Sequence, residues 1–247
     1  MTVRLVGLAL VALGSACGGS ADHRAATVLV ASSLGPAFEE LAAAYEQAHP
    51  GDEVELHAAG SPTLLVQLRE GLPANLFAPA DRLHVEAARA LSHGASEPQP
   101  FASNRLALAV PRGNAADVHA LADLTRPGVV TLLCGPEVPA GRAARALLRE
   151  AGVTVTSASD EPSVQAVVTR LVLGEVDAGL VYATDVRRTP ELVEVPLEPA
   201  PPVSIDYSLV LLGEERGRAI ALRFAAFVIT PEGQRILARH GFGGPLP

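Results

Sequence analysis

Residues 27–41 read TVLVASSLGPAFEEL, and this stretch decides the fold. The apolar run TVLVA is typical of a buried strand, and two hydroxyl residues, Ser32 and Ser33, follow it directly. Apolar residues then recur three or four positions apart, which predicts a helix over 34–48. Pro36 falls in the first turn, where a missing N–H costs little, and Ser33 is expected near the N-cap. The stretch therefore predicts a strand that runs straight into a helix.

Strand and helix patterns alternate along the rest of the chain. Strands are predicted at 27–31, 53–59, 74–80, 105–111, 129–135, 153–158, 177–185, 192–197 and 205–212, and helices at 34–48, 62–71, 83–91, 141–151, 162–174 and 215–229. This order favours an α/β fold of mostly parallel sheets flanked by helices. The strands near 105–111 and 205–212 would cross between two such sheets. We therefore expect a two-lobed clamshell hinged at two strands, with lobe 1 at 27–108 plus 208–247 and lobe 2 at 109–207.

The N-terminus has the composition of an export signal. Arg4 precedes the apolar stretch Leu5–Leu13, which is shorter than the roughly 20 residues that a membrane-spanning helix needs. Cys17 follows Gly-Ser-Ala and precedes Gly-Gly-Ser, as at the start of a bacterial lipoprotein. The predicted parts are a signal peptide at 1–16 and a flexible tether at 17–26, lipidated at Cys17. Soluble export after cleavage just before Cys17 is the alternative.

The composition excludes several classes of protein. With 247 residues, 49% of them hydrophobic, the chain can bury one large core or two smaller ones. Its net charge of −8 argues against a nucleic-acid partner. Tryptophan is absent and aromatic residues make up only 4%, so stacking on sugars or bases is not the expected mode of binding. We expect a monomer without a cofactor.

Four strand-to-helix turns present the same kind of chemistry. They are VLVA-Ser32-Ser33, HAAG-Ser61-Pro62-Thr63, Pro139-Ala140-Gly141 and Asp160-Glu161-Pro162-Ser163-Val164. Each offers unpaired backbone N–H groups at the positive end of a helix dipole, which is a ready site for an anion. A single capped turn does not indicate a binding site. For each turn the alternative is ordinary helix capping, with Ser61 as the N-cap of the second helix. Four turns around one cleft, two from each lobe, would form an oxyanion site.

Neutral donors would also set the selectivity of such a site. Sulfate, molybdate and tungstate are fully deprotonated at neutral pH, so a cage made only of donors suits them. Phosphate mostly keeps a proton and would need a carboxylate acceptor. None of the candidate contacts is acidic, although Asp160 and Asp185 lie nearby in the sequence.

Catalytic motifs are missing from the sequence. It contains no GxSxG, GxxxxGK[ST], HExxH or CxxC, and its seven histidines have no metal-ligand spacing. Ser33 or Ser61 as a nucleophile would need a base that the sequence does not identify. Cys134, in the apolar pattern VVTLLCG, is expected to be a small buried residue. A secreted serine hydrolase and a ligand-sensing regulatory module remain the alternatives from other classes.

An ordered set of motifs resembles one known family over residues 27–243. The set is V-x-A-x-S-L, A-G-S-P-T-L-x-x-Q-L, P-A-N-L-F-A-P-A-D, N-R-L-A-L-A-V-P, P-E-V-P-A-G, G-L-V-Y-A-T-D and G-Q-R-I-L-A-R-H-G-F. It is similar to the periplasmic molybdate-binding proteins of ABC importers, which belong to the type II periplasmic substrate-binding proteins. The resemblance implies a non-enzymatic, exported protein that captures molybdate, and tungstate, for a membrane permease. A binder of sulfate, thiosulfate or another oxyanion is the alternative within this class.

The resemblance also implies which residues contact the anion, with no further metal site. Ser33 and Ser61 match the serines of the family's first two turns, and Tyr182 matches a tyrosine whose hydroxyl reaches the ligand. Ala140 and Val164 match residues that give backbone N–H groups. Pro62 departs from the family's run of serines and removes one N–H, while Asn75 and Pro79 replace an Asp and a Ser or Thr.

Overall fold

The computed structural model describes residues 25–197, 203–213 and 217–246. The strands are β1 (Ala25–Ala31), β2 (Glu53–Ala59), β3 (Leu76–Ala78), β4 (Gln99–Pro111), β5 (Thr131–Cys134), β6 (Asp160–Glu161), β7 (Ala178–Tyr182), β8 (Leu192–Val195) and β9 (Ser204–Leu211). The helices are α1 (Gly35–Ala48), α2 (Ser61–Arg69), α3 (Arg82–Leu91), α4 (Pro139–Glu150), α5 (Val164–Val172), α6 (Ala183–Arg188), α7 (Arg218–Val228) and α8 (Pro231–Arg239). The predicted signal peptide and Cys17 lie outside the described residues. Because β1 begins at Ala25, the last two residues of the predicted tether belong to the sheet.

The described strands form one mixed sheet in the order β2-β1-β3-β9-β4-β7-β5-β6, with β8 paired to β4. Pairing is parallel within a first strand set, β1 to β3, and within a second strand set, β5 to β7. The long strands β4 and β9 lie between the two sets and pair antiparallel with each other. This confirms the predicted α/β class and the two crossing strands. The exact lobe boundaries stay a prediction.

The opening stretch folds as its pattern predicts. Val28 and Val30 face the main core, while Leu29 between them faces a smaller core on the other side of the sheet. All three are buried because helices cover both faces of a parallel sheet. In the main core, Phe38 of α1 meets Phe224 of α7 edge to face, with ring centroids 6.0 Å apart. Burial on both faces fixes the end of β1, and with it the turn that follows.

The strand predicted at 153–158 is wrong. This segment keeps the alternating exposure of a strand, with Val153 and Val155 packed against the core. It meets β5 through two hydrogen bonds: the Leu133 N–H donates to Ser157 Oγ, and the Ala158 N–H donates to the Thr131 carbonyl oxygen, both at 2.9 Å. The parallel partner of β5 is β6, at residues 160–161. A period of two therefore identified an extended segment that bonds β5 at its end but is not a strand of the sheet.

The strand predicted at 177–185 is too long. β7 ends at Tyr182, and the short helix α6 begins at the next residue. The Asp185 carboxylate accepts the Tyr182 N–H at 3.1 Å, which favours a helical turn at this point. Six helical residues are too few to show a period of 3.6, so the apolar pattern of the strand dominated the prediction.

Cys134 is buried in β5, as predicted. Burial raises the pKa of its thiol to about 12, so the thiolate that reacts with oxidants and metals does not form near neutral pH. Within the described ranges, no cluster of His, Cys, Asp and Glu side chains could hold a metal ion. None of the helices described has both the length and the apolar character required to cross a membrane.

Candidate functional site

The four predicted turns meet at one small cavity between the two strand sets. Its volume is about 10 Å³, far less than the roughly 300–1,000 Å³ of pockets for drug-sized ligands. The lining residues are Ala31, Ser32, Ser33, Gly60, Ser61, Ala80, Val138, Pro139, Ala140, Ser163, Val164 and Tyr182. All five predicted contact residues are among them: Ser33, Ser61, Ala140, Val164 and Tyr182. Their proximity is a property of the fold, while their role in binding stays a prediction.

Three helices begin at this cavity. Ser61 is the first residue of α2, Ala140 the second of α4 and Val164 the first of α5. First-turn amides have no carbonyl partner within their own helix, and they lie at the positive end of its dipole. The first strand set supplies one of these helix starts and the second supplies two. The cavity is therefore surrounded by partial positive charge from both sides.

Ser61 does not cap α2, which corrects the sequence-based expectation. Gly60 occupies the N-cap position, and no side chain caps the helix there. The Ser61 hydroxyl oxygen instead accepts a hydrogen bond from the Ala80 N–H at 3.1 Å. An amide N–H can only donate, so this bond leaves the proton of the serine hydroxyl unused. Ser61 is 2% exposed, and its free proton can be donated into the cavity.

Ser33 does not act as a cap either. It lies in a short 3-10 turn, Ser32–Leu34, and Leu34 occupies the N-cap of α1 without a side-chain bond. The Ser33 hydroxyl is buried and lies 3.1 Å from the hydroxyl of Tyr207 in β9. The two serines are thus bonded to Tyr207 in β9 and to Ala80 in the loop after β3. Capping does not explain why hydroxyl residues occur at these turns.

Tyr182, the last residue of β7, has a buried hydroxyl without a hydrogen-bond partner in the part of the chain described. The side chain is 1% exposed and lines the cavity. Burial raises the pKa of this hydroxyl well above its usual value, so it remains protonated and can donate. Leaving a buried polar group unsatisfied costs about 1–3 kcal/mol. An acceptor placed in the cavity would remove this cost.

The two acidic residues near the turns lie outside the cavity lining. Burial raises the pKa of Asp185 to about 6, although Arg188, with its Nη2 2.8 Å away, and the Tyr182 amide oppose the shift. Asp160 is exposed and pairs with Arg145 at 2.5 Å. The lining residues include no Asp, Glu, Lys, Arg or His. An anion in the cavity would therefore meet neutral groups only.

Two contacts join the two sides of the cavity. Gly60 lies so close to Pro162 that a Cβ atom at position 60 would be 2.1 Å from the Pro162 carbonyl oxygen. Asp81, the N-cap of α3, forms an ion pair with Arg142 of α4. Burial favours the neutral form of Asp81, but the bonds from His84 and the charges of His84 and Arg142 outweigh it and lower the pKa. The two strand sets are therefore in contact around the cavity.

Sequence reasoning missed three residues that shape the site: Gly60, Asn104 and Tyr207. Gly60 stands in a quoted motif, but its approach to Pro162 joins positions about a hundred residues apart. Tyr207 is 174 residues from Ser33, and Asn104 is 103 residues from Tyr207. The one available signal was that Tyr207 lies on one of the two strands predicted to cross between the lobes, and that Asn104 directly precedes the other.

This fold, with a cavity between its two strand sets, defines a two-lobed solute-binding protein. Residues 26–243 match the model of the bacterial extracellular solute-binding protein family, and the chain belongs to this family. The chain is 34% identical over 234 residues to the molybdate-binding protein ModA of Mycobacterium tuberculosis, covering 94% of this chain and 89% of that protein.

Two solved structures share the fold. The periplasmic molybdate-binding protein of Azotobacter vinelandii has a TM-score of 0.72 at 19% identity, covering 90% of this chain and 99% of that one. The sulfate-binding protein SubI of Mycobacterium tuberculosis also has a TM-score of 0.72, at 18% identity, covering 89% of this chain and 86% of that one. At these identities the two structures establish the architecture and leave the ligand open.

Proposed function

We propose that the chain captures molybdate, and also tungstate, outside the cytoplasm and delivers it to an ABC permease. The observation that carries this proposal is a cavity lined by O–H and N–H donors without a charged side chain. Such a lining suits an anion that carries no proton. The relative ModA, at 34% identity, is named for molybdate, which favours this anion over others of the same shape.

The energetics of the proposed site are sufficient for tight binding. Hydrogen bonds to charged groups contribute roughly 1.5–3 kcal/mol each, so the five predicted contacts give roughly 8–15 kcal/mol. Association and ordering take back about 4–15 kcal/mol. A net free energy near −8 kcal/mol corresponds to a Kd of about 1 μM. Because the donors come from both strand sets, the anion stabilises the closed arrangement of the two lobes.

The proposal includes the place of the protein in the cell. Export by the predicted signal peptide, lipidation at Cys17 and a tether would keep the protein at the outer face of the membrane, beside its permease. The protein would act as a monomer, without a cofactor and without chemistry on the ligand. A serine hydrolase is disfavoured because the residues lining the cavity offer no base to Ser33 or Ser61.

Calorimetric titration of the mature chain tests the proposed function. Molybdate and tungstate are expected to bind with a Kd of about 1 μM or lower, and phosphate far more weakly. Sulfate is the competing ligand, since SubI has the same fold. Sulfate binding tighter than molybdate would make this chain a sulfate protein. An absence of binding to all four anions would overturn the proposal.

Ser33→Ala and Ser61→Ala should each weaken molybdate binding by about 1–3 kcal/mol, because each removes a hydroxyl donor to a charged ligand. Both substitutions also remove a hydrogen-bond partner of a buried group, the Tyr207 hydroxyl for Ser33 and the Ala80 amide for Ser61, so both should lower the melting temperature as well. Titration and thermal unfolding of both variants measure the two effects. Unchanged affinity in both variants would show that the site is assigned to the wrong residues.

A further inference from the structure

We propose that Tyr207, oriented by Asn104, is a positioning residue that makes Ser33 a hydrogen-bond donor and thereby selects anions that carry no proton. Neither residue lines the cavity. Both lie behind it, on the two strands between the strand sets, β4 and β9. This inference deepens the proposed function and rests on it. It concerns how the site rejects a protonated competitor of the same shape and charge.

The orientation of the Asn104 side chain is fixed by its neighbour. Its Oδ1 accepts the Arg105 N–H at 2.9 Å, so its Nδ2 group faces the other way. That group lies 2.9 Å from Thr184 Oγ1 and 3.5 Å from the Tyr207 hydroxyl. Asn104 and Tyr207 are buried, and water does not compete for these bonds. An amide nitrogen can only donate, so Asn104 donates to both hydroxyls.

The direction of the next bond follows from the first. Because Tyr207 accepts from Asn104, its own proton needs another acceptor, and the Ser33 hydroxyl oxygen lies 3.1 Å away. Burial raises the pKa of Tyr207 far above its usual value, so this proton is always present. Ser33 accepts it and keeps its own proton for the cavity. The result matches Ser61, which accepts from the Ala80 N–H and is also left with a proton to donate.

A site in which the hydroxyls of Ser33 and Ser61 are both committed as donors discriminates by protonation. Molybdate and hydrogen phosphate are both dianions near pH 8, but hydrogen phosphate carries one O–H. Opposite Ser33 or Ser61 that O–H would meet a donor and not an acceptor, which costs a buried hydrogen bond. In a Tyr207→Phe variant no proton is donated to Ser33 Oγ. That oxygen becomes free to accept the O–H of hydrogen phosphate, so the free-energy penalty on phosphate binding falls.

The experiment measures the ratio of phosphate Kd to molybdate Kd for Tyr207→Phe at pH 8. We expect the molybdate Kd to rise about tenfold in this variant, and the ratio of the two Kd values to fall about tenfold. Tyr45→Phe is the matched control, because it removes a buried hydroxyl that donates to Asp52 at 2.6 Å, away from the cavity. It should leave both affinities unchanged. An equal loss for both anions in Tyr207→Phe would mean a merely structural role and overturn the inference.

Two further variants make the result decisive. In a Ser33→Ala background, Tyr207→Phe should have no additional effect on molybdate affinity, whereas additive losses would contradict action through Ser33. Asn104→Asp keeps the Tyr207 ring but replaces the donating Nδ2 group with a carboxylate oxygen, which accepts the Tyr207 proton. Tyr207 then accepts from Ser33, so the ratio of phosphate Kd to molybdate Kd should fall again even if Tyr207→Phe does not fold. A ratio unchanged in Asn104→Asp would overturn the inference. If the wild-type chain binds no oxyanion, the proposed function itself has failed.

Discussion

Gly60→Ala is expected to weaken molybdate binding by about 3–6 kcal/mol, the largest effect of any single substitution considered for this protein. Its Cβ atom would lie 2.1 Å from the Pro162 carbonyl oxygen, which belongs to the backbone and cannot rotate away. The segment before α5 would have to move, taking the Val164 amide away from Ser61. The anion would lose the contacts of one side, or about two charged hydrogen bonds at roughly 1.5–3 kcal/mol each.

The fold itself should tolerate this variant. Gly60 has φ −59° and ψ 140°, which alanine adopts without strain, and the obstructing atom belongs to the other strand set. Gly35→Ala is the matched control, since Gly35 is also buried at a helix start and its Cβ would meet Ala58 Cβ at an ordinary 3.5 Å. Calorimetry should find near-normal affinity in Gly35→Ala. Wild-type affinity in Gly60→Ala would show that binding does not need the two sides to meet.

Tyr182→Phe should separate affinity from stability. The Tyr182 hydroxyl has no partner within the described residues, so its removal relieves a buried unsatisfied group and should leave the melting temperature of the free protein unchanged or raised. Molybdate binding should weaken by about 1.5–3 kcal/mol, because the anion loses one donor. Thermal unfolding without ligand and titration with molybdate give the two quantities.

Tyr45→Phe is expected to show the opposite pattern. Its hydroxyl is bonded to Asp52 away from the cavity, so stability should fall while affinity stays the same. If Tyr182→Phe destabilised the free protein and bound molybdate normally, the hydroxyl would have a structural partner and no role in the site.

The local pattern of apolar residues along this chain predicted most of the fold. The run TVLVA is buried on both faces, and a helix with apolar residues three or four apart follows it, so both elements were recognisable without any long-range knowledge. The short helix α6 and the segment 153–158 were mispredicted for different reasons. The first is too short to show a period. The second has strand-like alternation but meets β5 through Ser157 Oγ and the Ala158 amide, not through a regular ladder.

The candidate site was predictable only as a set of turns. The positions of Ser33 and Ser61 could be predicted, but their bonds to Tyr207 and Ala80 could not, because hydrogen bonds between distant elements leave no local pattern. For the same reason the serines were expected to cap helices. The close approach of Gly60 to Pro162 likewise depends on how the two strand sets meet.

A crystal structure grown with molybdate, with the metal located by anomalous scattering, tests the central claim most directly. We expect a molybdenum peak inside the cavity, with the oxygen atoms within hydrogen-bond distance of neutral donors from both strand sets. Those donors are the hydroxyls of Ser33, Ser61 and Tyr182 and the amides of Ala140 and Val164. A peak elsewhere, or an anion held by arginine side chains, would contradict the account.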